Sequence, residues 1–129
     1  MIQRFIELGE GLSDIYELLE MARYNKERVQ HLMAFHTIVK NRPVTSLGVV
    51  MKPTAEGKFQ AIYFCREGVP NPNIMENKRF SLFEQTADEL DKTIIQLDVK
   101  PSSFFPEKDL YYQHLIAILR LNHYISPLQ

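Results

Sequence analysis

Residues 29–65 read VQHLMAFHTIVKNRPVTSLGVVMKPTAEGKFQAIYFC, and this stretch decides the fold. Leu32, Met33, Ala34, Phe35, Ile38 and Val39 run too continuously for a one-sided helix, and β-branched residues gather toward the end. Asn41-Arg42-Pro43 reads as a turn, with Leu47 to Met51 as the returning strand. A second turn, Pro53-Thr54-Ala55-Glu56-Gly57, leads into Phe59 to Cys65. The expectation is an antiparallel meander of three strands. Residues 26–33 stay open between helix and strand, because no Gly or Pro separates the two.

Upstream, residues 1–8 alternate as a strand, and Gly9-Glu10-Gly11 breaks it. Ser13 is placed to cap a helix, Asp14 suits the positive end of its dipole, and Ile15, Leu18, Leu19 and Ala22 repeat at helical spacing to about Asn25. Downstream, residues 66–78 (REGVPNPNIMENK) read as a long loop, of the kind that serves function or moves. Ser81 with Glu84 has capping-box spacing, which starts a second helix running to about Lys92. Thr93 to Lys100 is the cleanest strand, with Thr93, Ile95, Leu97 and Val99 on one face. Pro101 ends it, and Pro106 opens a last helix that reaches about Tyr124.

At 129 residues the chain suits a single domain over 1–129. It is α+β, in the order β-α-β-β-β-α-β-α, with a mixed sheet of about five strands covered by helices. Fifteen basic against sixteen acidic residues give a net charge of −1, so no global field steers the protein to nucleic acid or an anionic membrane. Single Cys65 excludes an internal disulfide. The apolar run Leu115–Leu119 is far too short to span a bilayer, and acidic Glu7, Glu10 and Asp14 fit neither signal nor transit peptide. A cytoplasmic protein is expected.

Candidate chemistry is sparse. Gly9-Glu10-Gly11 sits where a phosphate turn would, but Asp14 takes the place of the third glycine and, with Glu10, repels phosphate. Asp98-Val99-Lys100 puts a carboxylate and an ammonium on one strand face, roughly 7 Å apart along the chain, as in the acid-x-Lys of metal-dependent nucleases. There, however, the motif precedes the second helix; the plainer reading is an outer-face ion pair. Cys65 beside Arg66 invites a thiolate nucleophile, though a free cysteine usually packs in the core. His31, His36, His114 and His123 show no metal-ligand spacing. Arg66, Lys78 and Arg79 around the asparagine-rich loop form a candidate anion site. The last helix is apolar almost all round, so it is either enclosed by the sheet and the first helix or covered by a second copy at Tyr112 or Ile116.

MIQRFIELGEG, CREGVPNP and VKPSSFF with KDLYYQHLIAILRLNHY resemble a family of small proteins of unknown activity from Gram-positive, spore-forming bacteria, over the whole chain. The resemblance implies a single cytoplasmic bacterial domain and assigns no functional residue.

The sequence therefore reads as a small interaction or regulatory module without catalytic activity, a homodimer through the last helix, with no cofactor, metal or membrane indicated. The alternatives are a metal-dependent phosphodiesterase centred on Asp98 and Lys100, or an anionic-ligand binder using residues 66–79.

Overall fold

The computed structural model describes residues 2–9, 12–53 and 59–126. The Ser13 side chain, Glu10 and Gly11 of the first turn, and most of the turn at 53–57 lie outside them. Element order is β1 (Ile2–Glu7), α1 (Leu12–Tyr24), β2 (Val29–Val39), β3 (Arg42–Met51), β4 (Phe59–Pro70), α2 (Lys78–Glu89), β5 (Ile94–Asp98) and α3 (Lys108–Leu121). This is the expected α+β order. The open segment 26–33 resolves as a 3-10 turn, Lys26–Arg28, followed at once by strand.

The sheet order is β1-β4-β3-β2-β5. β1 runs parallel to β4 and β2 parallel to β5, while β3 is antiparallel to both its neighbours. Four strands therefore point one way and end at one edge, here the carboxyl edge. The β2–β3 hairpin closes at Lys40 and Asn41, with φ of 51° and 65°. Both central residues are left-handed, as a two-residue turn matched to strand twist requires.

Alternation along the strands loads both faces. On one, Leu32, Ala34, Leu47, Val49 and Cys65 pack under Ile15, Leu18 and Leu19 of α1 and Phe80 and Phe83 of α2. On the other, Met33, Phe35, Val50, Ile62 and Phe64 pack under Tyr111, Leu115 and Leu119 of α3. Each of these rings and aliphatic chains contributes about 1.5–3 kcal/mol on burial. α3 is thus not enclosed between the sheet and α1: they lie on opposite faces. Gly48 packs closely here: a Cβ would stand 3.2 Å from the Phe35 ring, tight enough that the ring would have to give by a few tenths of an ångström.

Several boundaries differ from the sequence reading: β3 begins at Arg42, inside the expected turn, β5 is shortened to Ile94–Asp98, α3 runs Lys108–Leu121, and β4 and α2 differ most. β4 continues through Pro70, so the loop is only residues 71–77. The continuation is masked by a bulge: Leu47 pairs with Cys65 and Thr45 with Val69, leaving Ser46 opposite Arg66, Glu67 and Gly68. α2 begins at Lys78 and not at Ser81, because Asn77 caps it, its side chain accepting Phe80 N–H at 2.9 Å. The Ser81 hydroxyl lies inside the helix and donates back to the Asn77 carbonyl.

Candidate functional site

In open sheets with parallel strands, ligands meet the chain beyond the carboxyl ends of the strands. Here that edge gathers most of the uncommon chemistry. Parallel pairing sets Glu7 beside Phe64, so the Glu7 carboxylate meets Arg66 one step further along β4 at 3.0 Å. Lys108, in the first turn of α3, reaches the other oxygen at 2.8 Å. Tyr112, one helical turn on, directs its buried hydroxyl at the same carboxylate. Burial opposes ionisation of Glu7, but the hydrogen bond from Lys108, the nearby Tyr112 hydroxyl and the Arg66 charge outweigh it and hold the carboxyl below its ordinary value. Burial, followed by the Glu7 charge, pushes the Tyr112 phenol well above its ordinary value.

Glu67 forms a second latch. Its φ of 51° is left-handed, an uncommon conformation for a residue with a Cβ. The bulge holds it there: Ser46 Oγ accepts its N–H at 2.7 Å, and its carboxylate accepts Ser102 N–H at 2.9 Å and Ser102 O–H at 3.0 Å. The crossover from β5 to α3 is thereby fastened over the sheet edge. At neutral pH Glu7 is ionised and Tyr112 protonated, and neither is poised to move a proton; the arrangement clamps β1, β4 and α3 together.

Beside this clamp, two confluent hollows of about 460 and 500 Å³ open onto the surface and share Pro43, Asn71 and Ile74. Val44, Val69 and Met75 wall the first, whose rim carries Arg42 and Glu67. Ile38, Ile74 and Met75 are 61%, 69% and 59% exposed around them. Asn77 fixes this loop, donating to the Pro70 and Met75 carbonyls as it caps α2.

The candidate residues from sequence are dispersed. Asp98 and Lys100 are both exposed at the second hollow, and the Lys100 ammonium lies 5.2 Å from the centre of the Phe104 ring. Among the described residues no three His, Cys, Asp or Glu side chains are grouped to hold a metal. Of the anion trio, Arg66 pairs with Glu7, Arg79 donates to the Gly68 carbonyl at 2.6 Å, and Lys78 is exposed in the first turn of α2. Cys65 is fully buried under α1, where burial, then the charges of Asp14 and Glu17, push its thiol up to about 12. His36 is buried with both ring nitrogens bonded, to Thr45 Oγ1 at 2.7 Å and Gln96 Oε1 at 2.8 Å. Tyr112 stacks on Phe5 with centroids 4.6 Å apart, and Ile116 packs against the same core.

A family model described as "Domain of unknown function (DUF7147)" matches residues 1–125. The chain belongs to this family. No curated protein and no solved structure matches it. Among the described residues of this family member, no helix is long and apolar enough to cross a membrane.

Sequence reasoning passed over Ser102 and Lys108, and considered Glu7, Glu17 and Glu67 only as carboxylates that folding could bring to Asp98; Glu7 instead pairs with Arg66 and Lys108, and Glu67 with Ser102. It also passed over a buried chain at the opposite edge, where Gln3 donates to Gln60 and Ser126 while Gln60 donates to Gln30 and the Met51 carbonyl. Polar residues at otherwise inward strand positions (Gln3, Gln60, Thr45) were the available signal.

Proposed function

We propose that the chain is a non-catalytic interaction module whose carboxyl-edge groove takes a short apolar segment of a partner protein. The carrying observation is the concave apolar surface around Ile38, Ile74 and Met75, exposed beside the paired hollows. Scattered apolar residues are ordinary on a surface, but a clustered concave patch marks recognition. Its volume falls in the range of ligand pockets, and a flexible Met on the wall suits an adaptable contact. Lys40 and Arg42 at the hairpin end favour an acidic residue flanking the apolar segment. A bacterial cytoplasmic setting is supported by the resemblance to proteins of spore-forming bacteria and by single, buried Cys65.

Selection from a displayed peptide library on the purified protein tests the reading. Enriched peptides carry spaced apolar residues with an acidic neighbour, and they lose binding at least tenfold to an Ile74→Ser/Met75→Ser variant. No enrichment, or equal binding to that variant, refutes it.

A further inference from the structure

β2 outruns β5. The β2–β5 ladder ends at the pair His36–Asp98, whereas β2 continues beside β3 to Val39. Residues 37–39 therefore have a strand on one side only, and Thr37 and Ile38 line the second hollow with Asp98, Val99, Lys100 and Pro101. Two observations fix how the backbone is turned there. Ile38 pairs with Pro43, which has no N–H to exchange, so both main-chain groups of Ile38 point away from β3. Two residues earlier, and so turned the same way, the His36 carbonyl accepts Val99 N–H at 2.9 Å on the open side. The next donor along that line is residue 101, a proline, and Lys100 N–H is given to His114 Nε2 at 3.3 Å. Among the described residues no backbone group meets the Ile38 N–H or carbonyl on the open side.

We infer, resting on the reading of this groove as a peptide site, that the partner segment binds as an extended strand added to β2 at Ile38, end-on to β5. A donor and an acceptor on one residue, turned the same way, are matched by the backbone of a strand. A helix spends its own main-chain groups internally, so it fills the hollow but leaves Ile38 unmatched.

Strand alternation then sets the pattern of the segment. Side chains on the Ile38 face fall toward Ile38 and Pro43, beside Ile74, and are apolar. Those between them fall on the Thr37 face and are polar, because Thr37 is 7% exposed and its hydroxyl has no hydrogen-bond partner among the described residues. Lys40 and Arg42, past Ile38 at the hairpin tip, place the acidic residue at that end. The recognised pattern is apolar, polar, apolar with an acidic flank. Its anchors stand two residues apart, not the three or four of a helix.

The test uses a peptide selected on the full chain whose binding the Ile74→Ser/Met75→Ser variant loses. In the free protein, amide hydrogen exchange followed by two-dimensional NMR should be about tenfold or more faster at Ile38 than at Thr37, which is bonded to β3. Saturating peptide should slow Ile38 by about tenfold. N-methylating the peptide backbone one residue at a time should weaken binding about tenfold at the nitrogen that donates to Ile38, and less than about twofold at either neighbour. A peptide that needs Ile74 and Met75 but leaves Ile38 exchange unchanged, or shows no such single position, overturns the added strand and leaves groove binding standing. Failure to select any such peptide overturns both. Ile38 protection that grows with the concentration of the free protein also overturns the inference, in favour of edge pairing between two copies.

Discussion

Replacing Glu7 with Gln removes one charge from the clamp while keeping its shape, and leaves Arg66 facing a neutral amide. The Glu7 and Arg66 side chains are 23% and 26% exposed, between the regimes with measured magnitudes. Breaking a fully buried pair costs about 3–5 kcal/mol. An exposed pair is worth about 0–1 kcal/mol. A loss of about 2 kcal/mol follows for Glu7→Gln. Lys108 is half exposed (51%), so Lys108→Ala should cost no more than about 0.5 kcal/mol. In urea, with slopes of roughly 1–3 kcal/mol/M, the Glu7→Gln midpoint should fall by about 1 M with the slope unchanged. The pH dependence is fixed by the direction of the shift. The folded carboxyl titrates below its ordinary value of 4.5, so the contribution is fully present above that value and disappears as pH falls through the folded pKa. Wild type and Glu7→Gln should therefore converge in acid. A loss below about 0.5 kcal/mol, or Lys108→Ala costing more than Glu7→Gln, would refute the clamp as a determinant of stability.

Three further outcomes follow from single contacts. Asn77→Ala, which removes both the α2 cap and two loop bonds, should destabilise by about 1–2 kcal/mol in thermal or urea melts, whereas Ser81→Ala should stay within about 0.5 kcal/mol. Glu67→Ala and Glu67→Gly both lose the Ser102 bonds, but glycine tolerates a φ of 51°, so Glu67→Gly should be the more stable by about 1 kcal/mol. Cys65, with its thiol pushed up to about 12, should react with a thiol reagent near neutral pH only at the rate of unfolding; rapid labelling of the native protein would contradict its burial.

The three-stranded meander and the order of elements were legible because periodicity is local: alternation in 29–65 and helical spacing at Ile15, Leu18, Leu19 and Ala22 each stand within one element, whereas which face each helix covers was not. β4 was cut short because Glu67, Gly68 and Pro70 read as loop residues, and a bulge that holds a glutamate left-handed depends on the Ser46 hydroxyl of the neighbouring strand. The start of α2 was misplaced by two competing cap signals. Asn77 prevailed because its side chain also satisfies the Pro70 and Met75 carbonyls, contacts that no spacing rule contains. The clamp was invisible for a related reason. Glu7, Arg66 and Lys108 are far apart along the chain, and only the parallel β1–β4 register and the crossover into α3 join them. The apolar girth of the last helix was plain in sequence, and the structure divides it into a stripe spent on the sheet and a second, outward one.

Groove binding is most directly tested by the amide footprint of a selected peptide in two-dimensional NMR of the labelled protein. Binding at the groove predicts shifts concentrated at Val44, Gly68, Asn71 and Ile74, with the Gln3–Gln60 end of the sheet and the outer stripe of α3 unchanged. Shifts centred on either of those regions, or none at saturating peptide, would contradict it.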